Sequence, residues 1–168
     1  MDLARLQPST FTSRTTELAI PSLWAVVTQP SLLGDLSSEL QTIRMLDNEP
    51  VALGSRFEGD QLRGDRRWTT TSTVTAFDVH RLFEWTVGEL SEPVSRWSFL
   101  IDDVADVSTL THRVVLCGGP SPLSDYLDAH PEQAEETVHE RLTNLRIRMG
   151  ITIDGLLDIA RRQGPSPQ

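Results

Sequence analysis

The chain has 168 residues, a size that suits one domain whose core needs no disulfide or metal staple. Hydrophobic residues make up 38% and charged residues 23%, a globular composition rather than a disordered one. Twenty-four Asp and Glu outweigh 15 cations, all Arg, for a net charge of −9; this argues against a nucleic-acid binder, disfavours an anionic membrane surface, and leaves no Lys for Schiff-base chemistry.

Residues 1–9 read as a loose leader and 164–168 as a frayed tail, leaving 10–163 as a single domain without an internal repeat or a Pro/Gly/Ser-rich linker. Thr16, Leu18 and Ile20 alternate onto one face, predicting a first strand over 10–20. Pro21 suits the first turn of a short helix with Trp24, Ala25 and Val27 on its apolar side. Pro30 stops that helix, and a second follows over 31–36 with Leu32, Leu33 and Leu36. From Glu39 to Cys117, β-branched and aromatic residues dominate and turn residues recur. Strands are expected at 39–46, 54–62, 66–77, 80–88, 94–102 and 107–117. Their short connections imply an antiparallel meander.

Gly118-Gly119-Pro120 ends the strands, and 121–129 has the makings of a short helical piece. Pro131 then opens a long helix whose apolar stripe is Val138, Leu142, Leu145, Met149, Ile153, Leu156 and Ala160, spaced by threes and fours. Glu132, Glu135 and Glu136 lie near its positive end, Arg161 and Arg162 near its negative end. Gly150 and Gly155 each cost up to ~1 kcal/mol relative to Ala, which points to a bend or a close approach. Ile147 and Ile151 fall opposite the stripe and could seed a homodimer contact. The reading is α+β: a curved seven-stranded antiparallel sheet, two short helices after the first strand, and a long C-terminal helix covering the apolar face.

The stretches Gly54–Gly59 with Trp68–Val74, Leu82–Trp85 with Arg96–Phe99, and Ser108–His112 together resemble the START-like, helix-grip (SRPBCC) superfamily, and within it the bacterial polyketide cyclase/dehydrase-like and lipid-transport-like group. Gly54-Ser55-Arg56-Phe57-Glu58-Gly59 followed by Trp68-Thr69-Thr70-Thr71-Ser72-Thr73-Val74 is similar to that group's Gly-x-x-Phe-x-Gly and Trp-x-x-x-x-x-Val pattern. Leu82-Phe83-Glu84-Trp85 and Arg96-Trp97-Ser98-Phe99 resemble its aromatic strand pair, and Ser108-Thr109-Leu110-Thr111-His112 its Gly-Thr-x-Val/Leu-Thr-Glu segment. Leu36, Gln61 and His112 stand where the group often carries Trp, Asn and an acidic residue. The resemblance implies a helix-grip fold with a cavity between sheet and helix, and binding or transport of a small hydrophobic ligand (lipid, polyketide or aromatic metabolite).

Strand alternation predicts the cavity wall. Trp68, Thr70, Ser72 and Val74 share a face, as do Phe83, Trp85 and Val87, then Trp97, Phe99 and Ile101, then Leu110, His112, Val114 and Leu116. Aromatic walls with a few hydroxyls and one imidazole suit a ligand site. The expected ligand-binding residues are Phe57, Trp68, Thr70, Ser72, Phe83, Trp85, Trp97, Phe99, His112 and Val114 from the sheet, with Leu142, Leu145 and Met149 from the helix. His112 is also the one catalytic candidate, as general base of a cyclase/aromatase-like enzyme aided by Thr70 or Ser72. A third alternative is an interaction module with a filled core.

Other polar groups read as structural. Glu84 and Arg113 fall on the outer parity as a cross-strand surface pair. His130, Glu135, Glu136 and His139 read as a solvated helix face, and Asp102, Asp103 and Asp106 as a hairpin loop lacking the glycine of a calcium site. Cys117 is the only cysteine, so neither a disulfide nor a multi-thiolate zinc site is expected. Phosphate-loop, dinucleotide, serine-hydrolase and zincin motifs are missing, so no cofactor or metal is expected. Without an apolar leader or a run of 18 apolar residues, a cytoplasmic protein with no membrane insertion is the expectation.

Overall fold

In chain order, the computed structural model, which describes residues 1–37, 39–47, 50–104 and 107–164, has α1 (Leu3–Leu6), β1 (Ser9–Thr16), α2 (Ile20–Val27) and α3 (Pro30–Leu36). The strands β2 (Leu40–Met45), β3 (Arg56–Arg63), β4 (Arg66–Asp78), β5 (Leu82–Glu89), β6 (Glu92–Val104) and β7 (Val107–Leu116) follow. α4 (Pro122–Ala129), a 3-10 turn (Pro131–Gln133) and α5 (Ala134–Gln163) complete the chain. Every neighbouring strand pair is antiparallel, in the order β1-β7-β6-β5-β4-β3-β2. Consecutive strands from β2 to β7 are neighbours, whereas β1 crosses over to close the far edge against β7. Residues 165–168 of the expected tail, Asn48 and Glu49 of the first break, and Asp106 of the acidic loop lie outside the described residues.

Local chemistry explains where the elements start. The first strand ends at Thr16 rather than at residue 20 because the Thr16 hydroxyl accepts from the Leu18 amide and Pro21 sits within the first turn of α2. Pro30 begins α3 rather than ending α2, for the same reason. α4 starts from a capping box in which Ser121 and Ser124 satisfy each other's backbone amides. The leader contains a helical turn: Asp2 caps α1, and Leu3 is buried against Val114, Leu116 and Leu127.

Two groups of packed apolar side chains hold α5 to the sheet. Toward its C-terminal end, Ile153, Leu156, Leu157 and Ala160 pack with Leu23, Val26 and Val27 of α2 and with Phe83, Phe99 and Leu110 of the sheet. Toward its N-terminal end, Val138, Leu145 and Met149 pack with Leu3, Val114, Leu116 and Leu127. Trp97 touches both groups. The close approach expected at Gly155 is to a side chain: a Cβ there would lie 2.4 Å from Leu36 Cδ2. Ile147 and Ile151 stand exposed on the opposite side.

The outer face differs from expectation at one place. Glu84 lies opposite Ser98, which in turn lies opposite Arg113, so a whole strand separates the two charges. Glu84 accepts from the Thr75 hydroxyl instead, at 3.0 Å, and no ion pair joins it to Arg113 among the described residues.

Candidate functional site

Beneath the stretch of α5 from Thr137 to Thr152 lies a cavity of about 650 Å³, beside the N-terminal packed group. Its sheet wall comes from inward positions on successive strands: Phe57 on β3, Trp68, Thr70 and Ser72 on β4, Trp85 on β5, Trp97 on β6 and His112 on β7. Leu145 and Met149 of α5 form the roof. The other expected site residues do not reach it. Phe83, Phe99 and Val114 have no exposed surface at all, whereas a side chain facing open space keeps some; they are core, covered by the packed ends of α5. Leu142 packs half-buried against the N-terminal core group rather than facing the cavity.

Sheet register sets the aromatic geometry. Trp85 and Trp97 are direct cross-strand partners, with ring planes 9° apart and centroids at 6.3 Å. Phe57 meets Trp85 at 6.4 Å from the β3 side. The Trp97 indole donates to Ser95 Oγ at 2.9 Å, so its N–H is satisfied. Thr70 donates to the Gly59 carbonyl and accepts from the Gln61 amide. The Ser72 hydroxyl has no protein partner among the described residues and faces the cavity.

His112 is the unsettled group. It is 4% exposed, stacks on Phe99 with centroids 4.1 Å apart, and lies within 5.6 Å of the Trp97 ring centre. Neither Nδ1 nor Nε2 has a hydrogen-bond partner in the protein. Burial, with no carboxylate to offset it, pushes the imidazolium down to about 3. The ring is therefore neutral at physiological pH, with one nitrogen able to donate and the other to accept. Such a group can orient a carbonyl or hydroxyl, but it is a poor proton acceptor because its charged form is strongly disfavoured.

One feature escaped the sequence reading. Glu39, just before β2, is buried and is shared by two arginines of α5: Arg141 Nη1 at 3.2 Å and Arg148 Nη1 at 3.1 Å. Burial holds the Arg141 guanidinium below its ordinary value, Glu39 pulls the other way, and Arg63 and Arg148 reinforce burial. Arg63 and Arg66 of the β3–β4 hairpin border the same end of the cavity. The available signal was the seven-residue spacing of Arg141 and Arg148, which puts both on the helix face that carries Leu145. Among the described residues no group of three His, Cys, Asp or Glu is placed to hold a metal, and no helix is long and apolar enough to cross a membrane.

No family model matches the sequence, and no curated protein matches it. Solved structures do. A polyketide-cyclase-like protein of Corynebacterium glutamicum superposes with a TM-score of 0.62 at 18% identity, covering 95% of this chain and 97% of its own. The Zhui aromatase/cyclase of a Streptomyces species gives 0.64 at 13% identity, covering 95% and 99%. A major latex-like protein of Panax ginseng gives 0.52 at 14%, covering 81% and 97%. A curled seven-stranded antiparallel sheet gripping a long C-terminal helix, shared with these structures over 81–95% of this chain, is a helix-grip fold.

Proposed function

We propose that this protein binds a small hydrophobic molecule, a lipid, polyketide or aromatic metabolite, in the cavity beneath α5, as a carrier or sensor. The observation that carries the reading is His112: a buried imidazole on the cavity wall with both nitrogens unpaired by the protein. A buried polar group left unpaired costs ~1–3 kcal/mol. A ligand carbonyl or hydroxyl against His112 would recover that cost, and the Ser72 hydroxyl offers a second handle. Trp85, Trp97 and Phe57 would supply the apolar contact that drives affinity. The cavity volume of about 650 Å³ falls in the range of small-molecule sites. The fold's occurrence in a polyketide-cyclase-like protein and an aromatase/cyclase supports the same class of ligand.

A cyclase-like reading with His112 as general base uses the same residue. It is the weaker of the two, because the imidazole's basicity is depressed and no carboxylate sits beside it to stabilise a transferred proton. The test is native mass spectrometry of protein taken directly from cells, together with titration of the neutral fluorophore N-phenyl-1-naphthylamine. Expected are a retained apolar molecule and saturable probe binding that the extracted molecule displaces. Absence of both, or probe binding that the extracted molecule leaves untouched, overturns the proposal.

A further inference from the structure

The cavity is not electrically neutral at the end where α5 meets the β3–β4 hairpin. Among the described residues, Arg63, Arg66, Arg141 and Arg148 border it, against Glu39 and Glu140. In a chain with a net charge of −9, this local excess of cations runs against the bulk composition. Glu39 is shared between Arg141 and Arg148 and can neutralise only one of them. Arg63 and Arg66 make no ion pair among the described residues, and Asp65 at the hairpin turn pairs with neither. Arg141 is mostly buried and Arg63 acts on it unfavourably, so like charges are held together there at a cost that the protein's own carboxylates do not fully relieve. Guanidinium groups present planar paired donors that match a carboxylate or a sulfonate.

Resting on the binding function above, we infer that the ligand is an anionic amphiphile: its apolar body lies against Trp85 and Trp97, and its acidic group sits among Arg63, Arg66 and the Glu39-linked arginines. The acid would complete the charge balance that Glu39 leaves unfinished. His112, on the sheet wall, then meets a neutral oxygen of the same molecule rather than its charge, which suits an imidazole that stays uncharged.

The experiment compares two probes that differ by one sulfonate, 1-anilinonaphthalene-8-sulfonate and N-phenyl-1-naphthylamine, on the wild-type protein and on the Arg63→Gln/Arg66→Gln double variant. The readout is the ratio of the two affinities. Both arginines are exposed, so the variant is expected to keep the wild-type melting profile by circular dichroism. The sulfonate's advantage should fall at least fivefold in the variant, and likewise in wild type on raising NaCl to about 0.5 M. An unchanged ratio, or equal losses for both probes, overturns the inference while leaving the hydrophobic site standing. Failure of both probes to bind the wild-type protein removes the binding function itself.

Discussion

Replacing His112 with Phe tests the buried, neutral imidazole directly. In the unfolded chain this group titrates at its ordinary value of 6.5; in the folded protein burial lowers that to about 3. Above 6.5 both states are uncharged and the folded state keeps its full stability. Between 6.5 and 3 the unfolded chain binds a proton that the folded protein refuses. Stability therefore falls with pH at up to ~1.4 kcal/mol per unit. Going from pH 7 to pH 5, this one group should remove about 2 kcal/mol. The carboxylates also begin to titrate, but they are common to both proteins and cancel in the difference. His112→Phe keeps a flat ring against Phe99, and the adjacent cavity gives it room. Urea denaturation followed by tryptophan fluorescence at pH 7, 6 and 5 gives the comparison. Wild type should lose about 2 kcal/mol more than the variant between pH 7 and pH 5. Losses equal within about 0.5 kcal/mol would mean that His112 protonates freely in the folded state, and the argument from its burial would fail.

Glu39→Gln should destabilise by about 2–4 kcal/mol, because it leaves the buried Arg141 without its counter-charge; chemical denaturation measures this, and a loss under about 1 kcal/mol would show that solvent already screens the pair. Phe83→Ala, in the filled core, should cost about 3–5 kcal/mol in the same assay, and a cost below about 2 kcal/mol would mean that the core there is loose. Gly119→Ala should lower the melting temperature sharply, since a Cβ would lie 2.1 Å from the Glu92 carbonyl oxygen and 2.7 Å from Pro93 backbone atoms; an unchanged melt would refute that backbone contact. Affinity for N-phenyl-1-naphthylamine should change less than about twofold between pH 5.5 and 8, because the imidazole is neutral across that window; a tenfold change would contradict it.

The strands, the two short helices and the long helix were legible because β-branched alternation and the three-four stripe are local signals. The same parity put Trp85, Trp97 and His112 on the inner wall. Parity did not separate Trp85 from Phe83, or His112 from Val114, because alternation says which face a residue takes and not how far α5 stands above it. That depends on which side chains of other elements, such as Leu23, Val26 and Val27 of α2, fill the space beneath the helix. The Glu39–Arg141–Arg148 group was illegible for a different reason. Its members lie far apart in sequence, and a single Glu at the start of a strand looks like any solvated carboxylate. Glu84 and Arg113 were misjudged as partners because pattern gave their face but not the intervening strand β6. α1 was missed because one leucine makes no period.

The crossover of β1 also has a consequence for biogenesis. Strands β2 to β7 each find their partner immediately before or after them, so the hairpins can zip up in the order in which the ribosome delivers them. Ser9 pairs with Val115, so the first strand made must wait for the last strand to emerge before it has a ladder to join. Until β1 and β7 have paired, the free flank of β7 and the unpaired β1 are both open to strangers, and a chaperone that shields either one would speed productive folding most.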